Sequence, residues 1–199
     1  MTTMAVHTWP GPVPAPQDGR FVICIHTKDA HGTRGSGAPG AQRAAARAQI
    51  RRATQEALAA LLGISIDDIR IASTPGKPPA ITLAGGNRKI GCSFAHEDGY
   101  ALAAINLDGA IGVDLMRVQD IPDWQAVARD YLGPAATAAL QATPAGDRPR
   151  AFAFAWTRRE AALKCHGQQL AEWRAGDNAP AIALALPVTD LVGHVTIGE

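Results

Sequence analysis

The stretch from Tyr100 to Val118, YALAAINLDGAIGVDLMRV, constrains the fold more than any other. Two apolar runs meet at Asp108-Gly109. Asp-Gly favours a tight two-residue turn between antiparallel strands, so the segment predicts a β-hairpin. Shorter apolar runs at RFVICI, IRIAS, ITLA and IGCSFAHEDG also read as strands, bounded by turns at TPGKPPA and GGNRK. Helices are expected at QRAAARAQIRRATQEALAALLG, which ends at Gly63, in two short pieces either side of Gly133-Pro134, and over Phe152–Leu170. The tail AIALALPVTDLVGHVTIGE reads as one or two strands. The order of elements predicts an α+β fold. Ile50, Ala57, Leu58 and Leu61 of the first helix are expected to face a core. Arg43, Arg47 and Arg51 recur every four residues as a basic stripe.

With 199 residues and 47% hydrophobic content, the chain suits one compact domain or two small lobes. Nineteen basic and 18 acidic residues leave a formal charge of +1, which argues against a general nucleic-acid binder. Cys24, Cys92 and Cys165 show no CxxC spacing, so free buried thiols in a reducing cytoplasm are expected. No apolar run approaches the ~20 residues of a membrane span. The first 19 residues lack a signal-peptide pattern, and their prolines predict an extended tail.

Three constellations invite a functional reading. GSGAPG at 35–40 formally matches GxGxxG, yet it stands well beyond the strand and Glu56 lies inside the helix. A mobile loop fits better than a dinucleotide site. Asp114 interrupts an apolar strand, where a carboxylate must be paired, bonded or metal-bound unless it points to water; both readings stay open. Trp156, Glu160 and Lys164 fall on one helix face. Alone, Glu160 and Lys164 read as an exposed ion pair contributing ~0.2–0.5 kcal/mol. Alongside Asp114 they suit Mg²⁺ and a phosphorylated substrate.

IGVD at 111–114, followed downstream by WTRREAALK, resembles the signature of the 4′-phosphopantetheinyl transferases. GKP at 76–78, SFAHEDG at 93–99 and the early helix are similar to further family motifs. The resemblance covers roughly residues 43–170 and points to the longer, pseudo-dimeric (surfactin-synthetase-activating) branch. It implies two similar α+β halves, 20–108 and 109–199, after the tail at 1–19, with the active cleft between them. The implied activity moves 4′-phosphopantetheine from coenzyme A to a serine of an apo acyl or peptidyl carrier protein, releasing 3′,5′-ADP. The resemblance places Mg²⁺ on Asp114 and Glu160, the serine proton on Glu160 or a water it orients, and phosphate contacts on Lys164, Lys77, His96 and Arg47. It implies a cytoplasmic monomer with no nucleic-acid or membrane partner.

Three departures stand out. Met116 occupies the place of a usual third carboxylate, and a thioether does not serve Mg²⁺. Arg159 stands for a lysine, and Ala95 for a serine that contacts phosphate. A degenerate relative that binds coenzyme A or a carrier without turnover is the alternative.

Overall fold

The computed structural model describes residues 3–27, 39–86, 88–176 and 180–198. Most of the Gly-rich loop, including residues 35–38 of the motif at 35–40, lies outside the described residues.

Nine strands form a continuous mixed sheet: β1 (Thr3–Thr8), β2 (Arg20–His26), β3 (Ile69–Ala72), β4 (Ala80–Leu83), β5 (Ile90–Glu97), β6 (Tyr100–Asn106), β7 (Ile111–Arg117), β8 (Ile182–Ala185) and β9 (Leu191–Ile197). Their order across the sheet is β3-β4-β5-β6-β2-β1-β8-β9-β7. Among the described residues, four α-helices accompany them: α1 (Pro39–Leu62), α2 (Trp124–Val127), α3 (Gly133–Ala142) and α4 (Arg148–Cys165). A π-helical turn, Ala128–Leu132, joins α2 to α3. The mixed α+β class expected from the sequence is the one observed. Among the described residues, no helix is long and apolar enough to cross a membrane.

The hairpin expected at Asp108-Gly109 does not form. β6 pairs with β5 on one edge and β2 on the other, while β7 pairs with β9. The tight turn is the other Asp-Gly pair, Asp98-Gly99, where Glu97 faces Tyr100 and Gly99 adopts φ +77°. Both pairs sit between apolar runs, so local pattern cannot choose between them. The choice is made by β2, which occupies the second edge of β6 from Arg20↔Asn106 to His26↔Tyr100. At 106–110 the chain instead makes a side-chain-supported bend. The Asn106 amide accepts from Asp108 N and donates to Ala110 O, each at 3.2 Å.

The N-terminal segment also differs from expectation. Thr3–Thr8 is no loose tail but a strand, parallel to β2 on one side and β8 on the other. The prolines that suggested a tail begin at Pro10, after the strand ends. Met4 is buried, with Val6 partly buried on the same face, and this alternation seats the strand.

Burial follows the helix faces read from the sequence. Ile50, Ala57 and Leu58 of α1 are fully buried with Phe21, Ile23, Ile69 and Ile105, and Leu61 packs partly buried beside them. A second cluster joins Val22, Leu102 and Ala104 to Val113, Leu115, Leu184 and Val195. A third lies under α2, α3 and the start of α4. All three cysteines are free and buried.

β7 ends the ladder, yet β5 covers its outer edge. The Ser93 hydroxyl accepts from Val113 N at 3.1 Å, and a Glu97 carboxylate oxygen accepts from Arg117 N at 2.9 Å. Between these two caps lies Ala95, buried and small. Backbone donors at an edge need partners, and here side chains provide them.

Candidate functional site

The site is built where α4 crosses β7. In an antiparallel ladder, directly opposed residues share a face, so Gly112, Asp114 and Met116 lie with Thr196, His194 and Val192 of β9. That face carries α4. A Cβ on Gly112 would stand 2.9 Å from Cys165 Cα and nearer still to Ala161 O and Cys165 N. Glycine at this position lets the helix backbone rest directly on the strand. The close approach brings the middle of α4 over Asp114.

Lys164 Nζ lies 2.6 Å from Asp114 Oδ1 and 3.5 Å from Phe94 O. Asp114 is 8% exposed, so this is a nearly buried, charge-assisted contact and not a surface pair. Burial pushes the Asp114 carboxyl above its ordinary range, against the opposing pull of Lys164, and the charge of Glu97 pushes the same way as burial. Glu160 is half-buried. Its carboxyl is also raised, first by desolvation and then by Asp114, with Lys164 and Arg159 opposing. Both carboxyls are held above their ordinary range by burial, which leaves a demand for positive charge that one lysine only partly meets.

Around this centre lie two adjoining recesses that share Phe94 as a wall. The first, about 230 Å³, is bounded by Lys77, Pro78, Ser93, Lys164, Gln168 and Gln169. The second, about 220 Å³, is bounded by Arg47, Arg51 and His96, over Ile50. Partial burial lowers the His96 pKa to about 4, and Arg47, Lys164 and Arg51 add to the effect in that order. At neutral pH the ring is therefore uncharged, and a bound anion would favour its protonation. Arg51 is held by a 2.9 Å bond to Ser73 Oγ.

Of the six residues singled out from the sequence, Lys77 and Lys164 line the first recess and Arg47 and His96 the second, while Asp114 pairs with Lys164 and acts on the Glu160 carboxyl. Arg51, Gln168 and Gln169 join them. The two glutamines were hidden because they follow the helix: α4 ends at Cys165, and Gly167 turns the chain with φ +63°. Gln169 and Gly167 then lie against Gly76 and Pro78 of the GKP turn. Trp156 packs on Phe152 and Tyr131, with ring centroids 6.0 and 6.2 Å away, and serves as an anchor for α4.

The donor set fits a hard divalent cation in part. Asp114 and Glu160 offer carboxylate oxygen, and the charge of Asp114 raises the proton affinity of Glu160. Met116 lies on the same strand face and offers none. Among the described residues, no three of His, Cys, Asp and Glu gather as a metal-binding group. Any ion held here would keep several waters, as Mg²⁺ commonly does.

Ala95 is 2% exposed and belongs to the apolar layer between β5 and β7. A hydroxyl there would meet the core, and the missing serine leaves the recesses as they are. Arg159 is almost buried and turns toward Ala171 O at 3.5 Å.

Comparison with known proteins adds a family likeness. The family described as the 4′-phosphopantetheinyl transferase superfamily matches residues 110–185, the segment that holds Asp114, Glu160 and Lys164. A Synechocystis sp. protein, provisionally described as a 4′-phosphopantetheinyl transferase, is 30% identical over 93 residues. That alignment covers 47% of this chain and 37% of the relative, so the chain spans little more than a third of the relative's length. The segment that crosses β7 with α4 is thus similar to the phosphopantetheinyl transferase superfamily, and the likeness is concentrated where the site's charges meet.

Proposed function

We propose that this protein transfers 4′-phosphopantetheine from coenzyme A to a serine hydroxyl of an apo acyl or peptidyl carrier protein. One observation carries the reading. Asp114, Glu160 and Lys164 converge on one charged centre beside two basic recesses, inside the segment similar to the superfamily.

The serine oxygen attacks the β-phosphorus of coenzyme A. A new O–P bond forms, the bridging P–O bond breaks, and 3′,5′-ADP leaves with the electron pair. Glu160, or a water it orients, receives the serine proton. Lys164 can shift from Asp114 to a phosphoryl oxygen as a mobile point charge. Lys77 lines the same recess as Lys164, while Arg47, Arg51 and His96 offer donors for further phosphate oxygens. Asp114 and Glu160 would hold Mg²⁺, which when bound neutralises pyrophosphate charge.

We also read the chain as two similar halves, 20–108 and 109–199, acting as a cytoplasmic monomer without nucleic-acid or membrane partners. The separate apolar cluster under α1, built from residues 21–107, supports that division.

The test is intact-mass measurement of apo carriers incubated with coenzyme A and Mg²⁺. A phosphopantetheine mass gain, lost in Asp114→Ala and Glu160→Ala, is expected. No gain across fatty-acid, polyketide and peptide-synthetase carriers would leave the second reading, binding without turnover, which Met116 favours.

A further inference from the structure

Beyond the charged centre, α4 is pinned to the sheet by a buried polar contact. His194, 1% exposed, lies on β9 directly opposite Asp114. Its Nδ1 is 2.7 Å from Thr157 Oγ1, and Thr157 is fully buried. The Thr157 hydroxyl also lies 2.8 Å from Ala153 O, one turn back on α4. A hydroxyl has one proton. With that proton given to Ala153 O, the imidazole donates Nδ1–H to the hydroxyl oxygen, and both bonds are satisfied. Phe154 meets the imidazole edge-on, with centroids 4.2 Å apart, and fixes the ring plane.

Position gives this contact its meaning. Thr157 lies one turn before Ala161, whose carbonyl approaches Gly112, and two turns before Lys164. Glu160 lies between them. Along its packing on the sheet, the helix meets Gly112, two residues before Asp114 on β7, and His194, opposite Asp114 on β9. Bare backbone contact at Gly112 limits how close the helix can come. The Thr157–His194 bond fixes its rotation and its position along the strand, because a hydrogen bond is directional and packing is not.

We propose that His194 and Thr157 are a positioning pair that sets the placement of Glu160 and Lys164 over Asp114; this rests on the transferase reading above. Neither side chain touches substrate. Their effect passes through the helix to groups whose placement controls rate, where a displacement of about 1 Å can lower rate by up to about 100-fold.

The experiment compares wild type with Thr157→Val, which keeps size and removes the hydroxyl, Thr157→Ser, which keeps the hydroxyl, and His194→Leu. Two readouts are taken at equal folded fraction: Mn²⁺ affinity by electron paramagnetic resonance, and transfer kinetics by intact mass. Thr157→Val is expected to weaken Mn²⁺ binding and lower kcat by roughly tenfold each, with the KM for coenzyme A within about twofold. Thr157→Ser is expected to restore both. Should His194→Leu fail to fold, Thr157→Val decides. Loss of stability alone, with Mn²⁺ affinity and kcat unchanged in Thr157→Val, would overturn the inference and leave the transferase reading standing. Wild-type protein that binds Mn²⁺ but transfers nothing would count against the transferase reading, and the Mn²⁺ arm would then judge the pair. Absence of Mn²⁺ binding by wild type would sink both.

Discussion

Replacing Gly112 with alanine tests the close contact of strand and helix on which the site depends. The added methyl would lie 2.9 Å from Cys165 Cα and closer still to Ala161 O and Cys165 N. All three are backbone atoms of α4, so no side chain can swing aside. Ordinary van der Waals contact begins near 3.4 Å. The helix must therefore retreat from β7 by about 1 Å, or the strand must bend by as much. Overpacking of this kind destabilises by roughly 1–3 kcal/mol, readable as a lower urea midpoint with an unchanged slope. The retreat also carries Lys164 and Glu160 away from Asp114, opening the 2.6 Å contact between Lys164 Nζ and Asp114 Oδ1. Transfer, followed by intact mass, is expected to fall by ten- to about 100-fold in protein that remains folded. A Gly112→Ala protein with wild-type stability and wild-type transfer would refute the argument that bare backbone contact sets the site.

Four further outcomes are expected. Met116→Glu should lower the Mg²⁺ concentration needed for half-maximal transfer, because it adds hard oxygen on the face that carries Asp114; a Mg²⁺ titration checks it. Stability should fall as pH drops from about 6.5 to about 4, since burial, aided by Arg158, lowers the folded-state His194 pKa to about 4. The unfolded chain binds the extra proton across that window, so the loss from this one group is about 3 kcal/mol. The raised carboxyls of Asp114 and Glu160 act in the opposite sense, contributing stability at low pH that is lost as pH rises through their folded values. Comparing urea midpoints of wild type and His194→Gln across the range isolates the histidine. Ser93→Ala should destabilise by about 1 kcal/mol by leaving Val113 N–H without its cap, measured by urea unfolding. Gly133→Ala should cost more than an ordinary surface change: φ is +83°, and the new Cβ would stand 2.5 Å from the Trp173 indole; tryptophan fluorescence would report the displaced ring.

Much of this molecule was legible before its fold was seen. The helix faces were, because Ile50, Ala57 and Leu58 repeat with helical period and a helix reads only its own sequence. The charged centre was, because Asp114 in an apolar strand and Glu160 with Lys164 on a helix are locally anomalous. What stayed hidden depends on distant partners. Two Asp-Gly pairs carry the same local message, and only the pairing of β2 with β6 decides which one turns a hairpin. The proline-rich start disguised β1, since a strand of six residues depends on neighbours, one of them near the far end of the sequence. Thr157 looked like an ordinary helix residue, and His194 like a histidine in a tail strand. Nothing in either segment says that they meet.

The placement of β1 has a consequence for how the chain is made. Its register runs Thr3↔Ala183 on one side and Val6↔Val22 on the other, so one neighbour is synthesised almost at once and the other much later. Until β8 leaves the ribosome, β1 has an unpatched row of amides and carbonyls, and the sheet cannot close. A chain cut before β8 would carry an assembled early layer and an adhesive strand edge. Chains truncated before Ile182 should therefore yield aggregates.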